Sequence, residues 1–119
     1  MIRILVVDDR VDFRLAFVGL LEGHSDLKVV SQAGSLADAR TMLEGIDVAL
    51  LDRGLPDGDG LELISDLRAV SPGARVFVIS STAEMIHPAD AVQAGADGVI
   101  DKLDLPERVF AAIRGEGGC

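Results

Sequence analysis

Short apolar segments alternate with longer amphipathic segments along the whole chain. Residues 3–7, 27–31, 46–51, 75–79 and 98–100 are rich in β-branched and other apolar side chains. Three of these segments contain the uninterrupted apolar runs ILVV, VALL and VFVI. Such runs are typical of strands that are covered on both faces, as in a parallel sheet. The pattern therefore predicts five strands, of which the second and the fifth have the weakest signals.

Helical patterns occupy the intervals between the predicted strands. Apolar residues recur with a period of about 3.6 over residues 13–21, 36–43, 61–68, 89–93 and 106–113. Ser35 can cap the second helix and Gly45 can end it. Pro106 suits the first position of the last helix, because its fixed φ angle is compatible with a helix start.

This alternation of strands and helices predicts an α/β fold. We expect a flavodoxin-like (βα)5 three-layer sandwich, in which a five-stranded parallel sheet of order 2-1-3-4-5 lies between two helix layers. Because crossover connections are right-handed, the carboxyl ends of all strands lie at one edge of the sheet. Ligands of open α/β sheets bind at this edge, so candidate functional residues are those that directly follow strands.

Polar residues of a particular kind follow these strands. Asp8 and Asp9 follow the first strand, Asp52 the third and Ser80 the fourth, and Lys102 lies just beyond the fifth. Two carboxylates about 4 Å apart repel each other by roughly 4 kcal/mol at an effective dielectric constant of about 20. The stability of the fold alone therefore does not explain this cluster of carboxylates. Binding of a divalent cation that prefers hard oxygen ligands, such as Mg²⁺, does explain it.

Composition and charge exclude several classes of partner. The chain has 119 residues, a length suited to one domain, and its formal net charge is −9. This negative field disfavours direct binding of nucleic acid or of an anionic membrane surface. The single cysteine, Cys119, cannot form an internal disulfide, which favours a cytoplasmic location. We expect residues 1–114 to form the domain and the glycine-rich residues 115–119 to begin a linker or a terminal tail.

The ordered set of residues resembles a receiver domain of a two-component response regulator over essentially the whole chain. The landmarks of that family are matched by Asp8, Asp9, Asp52, Pro56, Asp59, Gly60, Ser80 and Lys102. The segment before the fifth strand and the lysine without a following proline most resemble those of receivers that are fused to helix-turn-helix DNA-binding domains. The resemblance implies a phosphoprotein that a sensor histidine kinase phosphorylates on Asp52 and that controls an output, which we expect to be transcription.

The resemblance also assigns roles to individual residues. Asp9, Asp52 and the main-chain carbonyl of Gly54 would hold Mg²⁺, and Asp8 would contribute to the metal site by orienting a bound water. Lys102 would pair with the phosphoryl group. Ser80 would move to donate a hydrogen bond to a phosphoryl oxygen.

Further expectations concern the kind of protein and its partners. A receiver is a signalling module and not a metabolic enzyme, since it catalyses only its own phosphotransfer and autodephosphorylation. A C-terminal DNA-binding output domain outside this chain and a homodimer formed on phosphorylation both fit the resemblance. The main alternative is an atypical receiver that acts as a phosphorylation-independent interaction module. A Mg²⁺-dependent phosphohydrolase and a flavodoxin-like electron carrier are disfavoured, because the first strand lacks their DxD pattern and hydroxyl-rich phosphate loop, respectively.

The chain departs from the family's usual pattern at three positions. Val99 occupies the position of an aromatic residue that, in the family, commonly moves between exposed and buried positions when the domain switches. Leu103 occupies a position where proline often follows the lysine, so we expect a trans peptide bond there. Arg53 follows the phosphoacceptor, and its side chain either reaches over the pocket or, as we favour, pairs with Asp57 or Asp59. Gly54 and Thr82 occupy positions that tune the hydrolysis of the acyl phosphate in receivers, and Gly54 leaves the mouth of the pocket open.

Overall fold

A computed structural model describes residues 1–80 and 88–115 of the chain. The strands are β1 (Ile2–Val7), β2 (Leu27–Ala33), β3 (Val48–Asp52), β4 (Gly54–Leu55), β5 (Gly58–Asp59), β6 (Arg75–Ser80) and β7 (Gly98–Asp101). The helices are α1 (Val11–Glu22), α2 (Leu36–Ala39), α3 (Leu63–Val70), α4 (Pro88–Gln93) and α5 (Glu107–Arg114). Short 3₁₀ turns at Gly60–Glu62 and Lys102–Asp104 precede α3 and α5.

The main sheet has the predicted topology. Its five strands are all parallel and lie in the order β2-β1-β3-β6-β7. This is the expected order 2-1-3-4-5 once β4 and β5 are set aside, because those two short strands form a separate antiparallel pair. The flavodoxin-like arrangement is therefore confirmed, and β1 and β3 are neighbours at the point where the strand order reverses.

Two hydrophobic clusters cover the two faces of the sheet. Leu5 and Val7 of β1 belong to the cluster that includes residues of α2 and α3, whereas Ile4 and Val6 belong to the cluster that includes residues of α1 and α5. Successive side chains of a strand point to opposite faces, so a strand between two helix layers needs apolar residues at every position. This explains the uninterrupted apolar runs and confirms the three-layer sandwich.

The second helix is shorter than predicted. The periodicity predicts a helix over residues 36–43, but α2 ends at Ala39. The N–H and the hydroxyl of Thr41 both donate to the carbonyl of Asp38, at 3.1 Å and 2.7 Å. A continuing α-helix would pair the Thr41 N–H with the carbonyl of Ala37 and the Met42 N–H with that of Asp38. The Met42 N–H donates instead to the carbonyl of Ala39. Leu43 is buried but lies outside the helix. The spacing of apolar residues therefore predicts its burial correctly and its helical conformation wrongly.

Other differences from the predictions are small. Strands β2, β6 and β7 each extend one or two residues beyond the predicted ends, and α5 starts one residue after Pro106. Within the described ranges, no helix combines the length and the apolar character needed to cross a bilayer. The predictions for Thr82, Cys119 and the tail beyond Gly115 concern residues outside the described part of the chain.

Candidate functional site

The carboxyl ends of three adjacent strands bring the predicted site residues together. Asp8 follows β1, Asp52 ends β3, and Ser80 ends β6, where it is buried with 2% of its surface exposed. Asp52 is in register with the residue before Ser80, and Ser80 is in register with Asp101 on β7. The strand register therefore places Ser80 and the residue preceding Lys102 at the same edge of the sheet as Asp52.

Asp8, Asp9 and Asp52 form a compact acidic cluster. One carboxylate oxygen from each residue lies within 4.8 Å of the others. Asp8 and Asp52 are buried, whereas Asp9 is exposed at the rim. The backbone N–H of Arg10 donates to Oδ1 of Asp8 at 2.9 Å, and the N–H of Gly54 donates to Oδ1 of Asp52 at 3.3 Å. These contacts orient the carboxylates without neutralising them.

Lys102 supplies a positive charge inside the cluster. Its Nζ lies 3.4 Å from Oδ2 of Asp8 and 3.8 Å from Oδ2 of Asp52. The ammonium also lies 4.5 Å from the centre of the Phe13 ring, a distance at which the ring face attracts a cation. Asp101 accepts a hydrogen bond from the Leu103 N–H at 2.9 Å, which caps the short turn that carries Lys102.

Two residues of α1 support this pocket in ways that the sequence pattern does not reveal. Phe13 matches a helix packing face by periodicity, but its ring also lies beside the Lys102 ammonium. The Nη1 group of Arg14 donates to the main-chain carbonyl of Asp8 at 2.8 Å, which holds the end of β1 in place. No local signal distinguishes these residues from other amphipathic helix positions, because both contacts depend on how α1 packs against the sheet.

Gly60 lies against the backbone of Asp52. A Cβ atom at this position would lie 2.0 Å from the carbonyl oxygen of Asp52, so only glycine fits without a backbone shift. The Gly60 N–H donates to the carbonyl of Arg53 at 2.8 Å. The motif Asp59-Gly60 therefore has a steric function, since it closes the loop after β3 tightly onto the candidate phosphoacceptor.

Arg53 is partly buried and lies beside two carboxylates. Its Nη2 lies 3.0 Å from Oδ2 of Asp59 and 3.7 Å from Oδ2 of Asp90 on α4. The prediction that Arg53 pairs with a carboxylate of its own loop is confirmed for Asp59. The hydrogen bond that the Arg53 guanidinium donates to Asp59 raises the pKa of Arg53 above its ordinary value. Asp57, the other expected partner, instead accepts the N–H groups at the start of α2.

One protein family has a sequence profile that matches nearly the whole chain. This family is the response regulator receiver domain, and the match covers residues 4–114. The chain is a response regulator receiver domain. Receiver domains are mainly signalling modules, which agrees with the expectation that this chain is not a metabolic enzyme.

Curated relatives and a solved structure agree with this assignment. DevR/DosR, a DNA-binding transcriptional activator of Mycobacterium tuberculosis, is 38% identical over 104 residues, which are 86% of this chain and 48% of that protein. The chemotaxis protein CheY of Listeria monocytogenes is 30% identical over 95% of this chain and 96% of its own length. The chain spans about half to three-fifths of the length of three curated relatives that it matches.

A solved response regulator from Burkholderia pseudomallei contains a phosphorylated aspartic acid, a calcium ion and citrate. It superimposes on this receiver domain with a TM-score of 0.81 at 28% sequence identity, covering 95% of this chain and 66% of its own. The fold similarity thus extends to a protein that is modified on an aspartate.

The acidic cluster of the receiver domain fits a divalent cation. Three carboxylates and one ammonium leave a formal charge of −2 within the cluster formed by Asp8, Asp9, Asp52 and Lys102. Two oxygens that both bind Mg²⁺ at about 2.1 Å lie at most about 4.2 Å apart. One oxygen from each of the three carboxylates lies within 4.8 Å of the others, so the cluster is close to the size that one ion needs.

Two of the departures from the family pattern, Val99 and Leu103, lie on β7 and in the turn that follows it. Val99 is half-buried in β7, and Leu103 is 80% exposed in the turn after Lys102. The cis peptide bond found in the described ranges joins Leu105 to Pro106, whereas the bond between Lys102 and Leu103 is not cis, as expected. Gly54 is exposed, and its N–H donates to the Asp52 carboxylate at 3.3 Å.

Asp57 gives the receiver domain a pH-dependent contribution to stability. The N–H groups of Leu36 and Ala37 donate to its two carboxylate oxygens and hold the pKa of Asp57 below the ordinary value of 3.8. Because the folded pKa is lowered, this stabilisation is present above the unfolded pKa and is lost as the pH falls through the folded one. We expect Asp57→Asn to lower the melting temperature at pH 7 and to have a smaller effect below about pH 4. Thermal unfolding of both proteins at the two pH values measures this, and equal shifts would contradict it.

Proposed function

We propose that this receiver domain accepts a phosphoryl group on Asp52 from the phosphohistidine of a sensor histidine kinase. The modification changes the conformation of the domain and so controls an output, transcription, through a DNA-binding domain outside this chain. The observation that carries the proposal is the burial of Asp52 at the end of β3, within 3.8 Å of the Lys102 ammonium and beside two further carboxylates. The phosphorylated aspartic acid of the Burkholderia response regulator supports the same chemistry.

The reaction is a transfer between two nucleophiles. A carboxylate oxygen of Asp52 attacks the phosphorus atom, an O–P bond forms, and the P–N bond of the phosphohistidine breaks with its electron pair remaining on the imidazole. Phosphoryl transfer depends mainly on positioning and on neutralising charge on the equatorial oxygens. Lys102 is already held at the acceptor carboxylate and provides one such charge. The hydrogen bond from Gly54 to Oδ1 helps to leave Oδ2 of Asp52 directed toward Lys102.

The residues that would hold Mg²⁺ are Asp8, Asp9, Asp52 and the main-chain carbonyl of Gly54. When bound, Mg²⁺ supplies positive charge that offsets the repulsion between acceptor and phosphoryl oxygens. The set of hard oxygen donors and the residual charge of −2 both support this choice.

Ser80 connects the modification to a change in structure. In our proposal its hydroxyl donates to a phosphoryl oxygen and draws the chain after β6 toward Asp52. Contacts that only the phosphorylated state can make shift the population toward a second conformation. The domain acts on no external substrate and catalyses only its own phosphorylation and dephosphorylation. The proposal retains the cytoplasmic location expected from the sequence, and it allows a homodimer on phosphorylation.

Metal dependence provides the direct test of this site. We expect acetyl phosphate with MgCl₂ to label the chain on Asp52 and excess EDTA to abolish the labelling, because the acidic cluster then repels the anionic donor. Intact-mass measurement gives the extent of labelling, and peptide mapping identifies the modified residue. Restoring Mg²⁺ in excess over EDTA should restore labelling, which controls for damage by the chelator. Labelling of equal extent with and without EDTA would contradict the metal site, and label on another residue would contradict the phosphoacceptor.

A further inference from the structure

Arg53 joins the loop after β3 to helix α4 through two ion pairs. Its Nη2 contacts Asp59 in the loop at 3.0 Å and Asp90 on α4 at 3.7 Å. Only 22% of the Arg53 side chain is exposed, compared with 53% for Asp90. A partly buried guanidinium that contacts two elements links their positions more directly than two solvent-exposed groups could.

The backbone of Arg53 is tied to that of the phosphoacceptor. Arg53 directly follows Asp52, and the Gly54 N–H on its other side donates to the Asp52 carboxylate. The carbonyl of Arg53 accepts the N–H of Gly60, where an added Cβ atom would lie 2.0 Å from the carbonyl oxygen of Asp52. A change at Asp52 therefore acts on a short, closely packed segment from which the Arg53 side chain reaches α4.

Helix α4 is a short element with few buried groups on which such a link can act. It spans Pro88–Gln93, its Ala91 is buried, and Val92 is 62% exposed. Short helices with few buried side chains open locally at low free-energy cost. The ion pair between Arg53 and Asp90 joins this helix directly to the phosphoacceptor loop.

We propose that Arg53 is a positioning residue that transmits the phosphorylation state of Asp52 to α4 by weakening its ion pair with Asp90. The inference rests on the proposed function of Asp52. The acyl phosphate carries more negative charge than the carboxylate that it replaces, and guanidinium groups bind phosphoryl oxygens well. The longer of the two ion pairs, that with Asp90, is the one that gives way, while the pair with Asp59 keeps Arg53 at the loop. In this arrangement the phosphorylation state reaches α4 without a movement of the side chain at position 99.

Hydrogen exchange of the α4 amides tests the proposal in a double-mutant cycle. We expect phosphorylation with acetyl phosphate to speed exchange in α4 of the wild type by about two- to fivefold, the range for a partly exposed ion pair. Arg53→Gln and Asp90→Asn should each speed exchange to a similar extent without phosphorylation, and the double variant should add nothing further. In each single variant phosphorylation should then have little additional effect on α4. Arg53→Lys, which keeps the charge, should restore part of the wild-type response.

A matched control separates this link from a general effect of charge. Asp66→Asn removes one partner of an ion pair with Arg40 at 3.1 Å, whose side chains are both 46% exposed, and should leave α4 exchange unchanged. Labelled Asp52 with unchanged α4 exchange, or additive effects in the cycle, would overturn the role of Arg53 and leave the proposed function standing. Failure of wild-type Asp52 to become labelled would overturn the proposed function itself. The cycle without phosphorylation would still show whether the ion pair holds α4.

Discussion

Replacing Asp52 by asparagine is expected to reduce labelling by acetyl phosphate to background, a loss of at least about 100-fold. Asparagine has nearly the same shape but offers no anionic oxygen to attack phosphorus. Asp52 is buried at the end of β3, the middle strand of the sheet, and its Oδ2 lies 3.8 Å from Nζ of Lys102. Intact-mass measurement of wild type and variant under identical donor and Mg²⁺ concentrations provides the comparison.

The fold of this variant is a necessary control. Asp8, Asp9 and Asp52 repel one another within 4.8 Å, so removing one charge should not destabilise the domain. We therefore expect a far-UV circular dichroism spectrum like that of the wild type and a melting temperature that is no lower. Full labelling of a folded Asp52→Asn protein would place the phosphoacceptor elsewhere. Absence of label in both proteins would favour the alternative, a phosphorylation-independent interaction module.

Gly60→Ala is expected to damage both the fold and the site. The new Cβ would lie 2.0 Å from the carbonyl oxygen of Asp52, a distance that real Cβ atoms essentially never show. The backbone of the loop must shift, which costs about 1–3 kcal/mol, as overpacking does elsewhere. A displacement of the acceptor by even part of an ångström should slow labelling by about tenfold or more, because transfer depends on positioning. Chemical unfolding and the rate of labelling by acetyl phosphate measure the two effects.

The same substitution elsewhere in the chain separates the clash from the loss of a glycine. Gly19 is exposed within α1, and a Cβ atom there would meet nothing within 4 Å. We expect Gly19→Ala to stabilise the domain by about 0.5–1 kcal/mol and to leave labelling unchanged. If Gly60→Ala were as stable and as active as Gly19→Ala, the close approach at Asp52 would not be required for function.

Most of the fold can be predicted from the sequence because each strand carries its own signal. Runs such as the one over residues 4–7 indicate burial on both faces, and their alternation with helices leaves few topologies once crossovers are right-handed. The end of α2 could not be predicted in this way. At this end the N–H and the hydroxyl of Thr41 both donate to the carbonyl of Asp38, a local hydrogen-bond pattern that the apolar period does not encode.

Which strand-end residues form the candidate site can also be predicted from the sequence, but the contacts that other elements make with them cannot. Asp8, Asp52 and Ser80 come together because parallel strands end at one edge, so their position along the chain is sufficient to predict their proximity. The ring of Phe13 beside Lys102 is different, since it joins residues 89 positions apart through the packing of α1 on the sheet.

The ion-pair partners of Arg53 can be predicted only in part from the sequence, because the tertiary structure determines which carboxylates lie within reach. Its charge and its place after Asp52 indicate an ion pair, and nearby carboxylates narrow the choice to Asp57 or Asp59. In the folded chain Asp57 accepts a hydrogen bond from the start of α2, and Asp59 forms the ion pair with Arg53. Folding also places Asp90 of α4 within 3.7 Å of the same guanidinium. Local patterning determines which segments are buried and which residues share an edge. The choice among several partners of equal chemistry depends on distances between separate elements, which are set only when those elements pack.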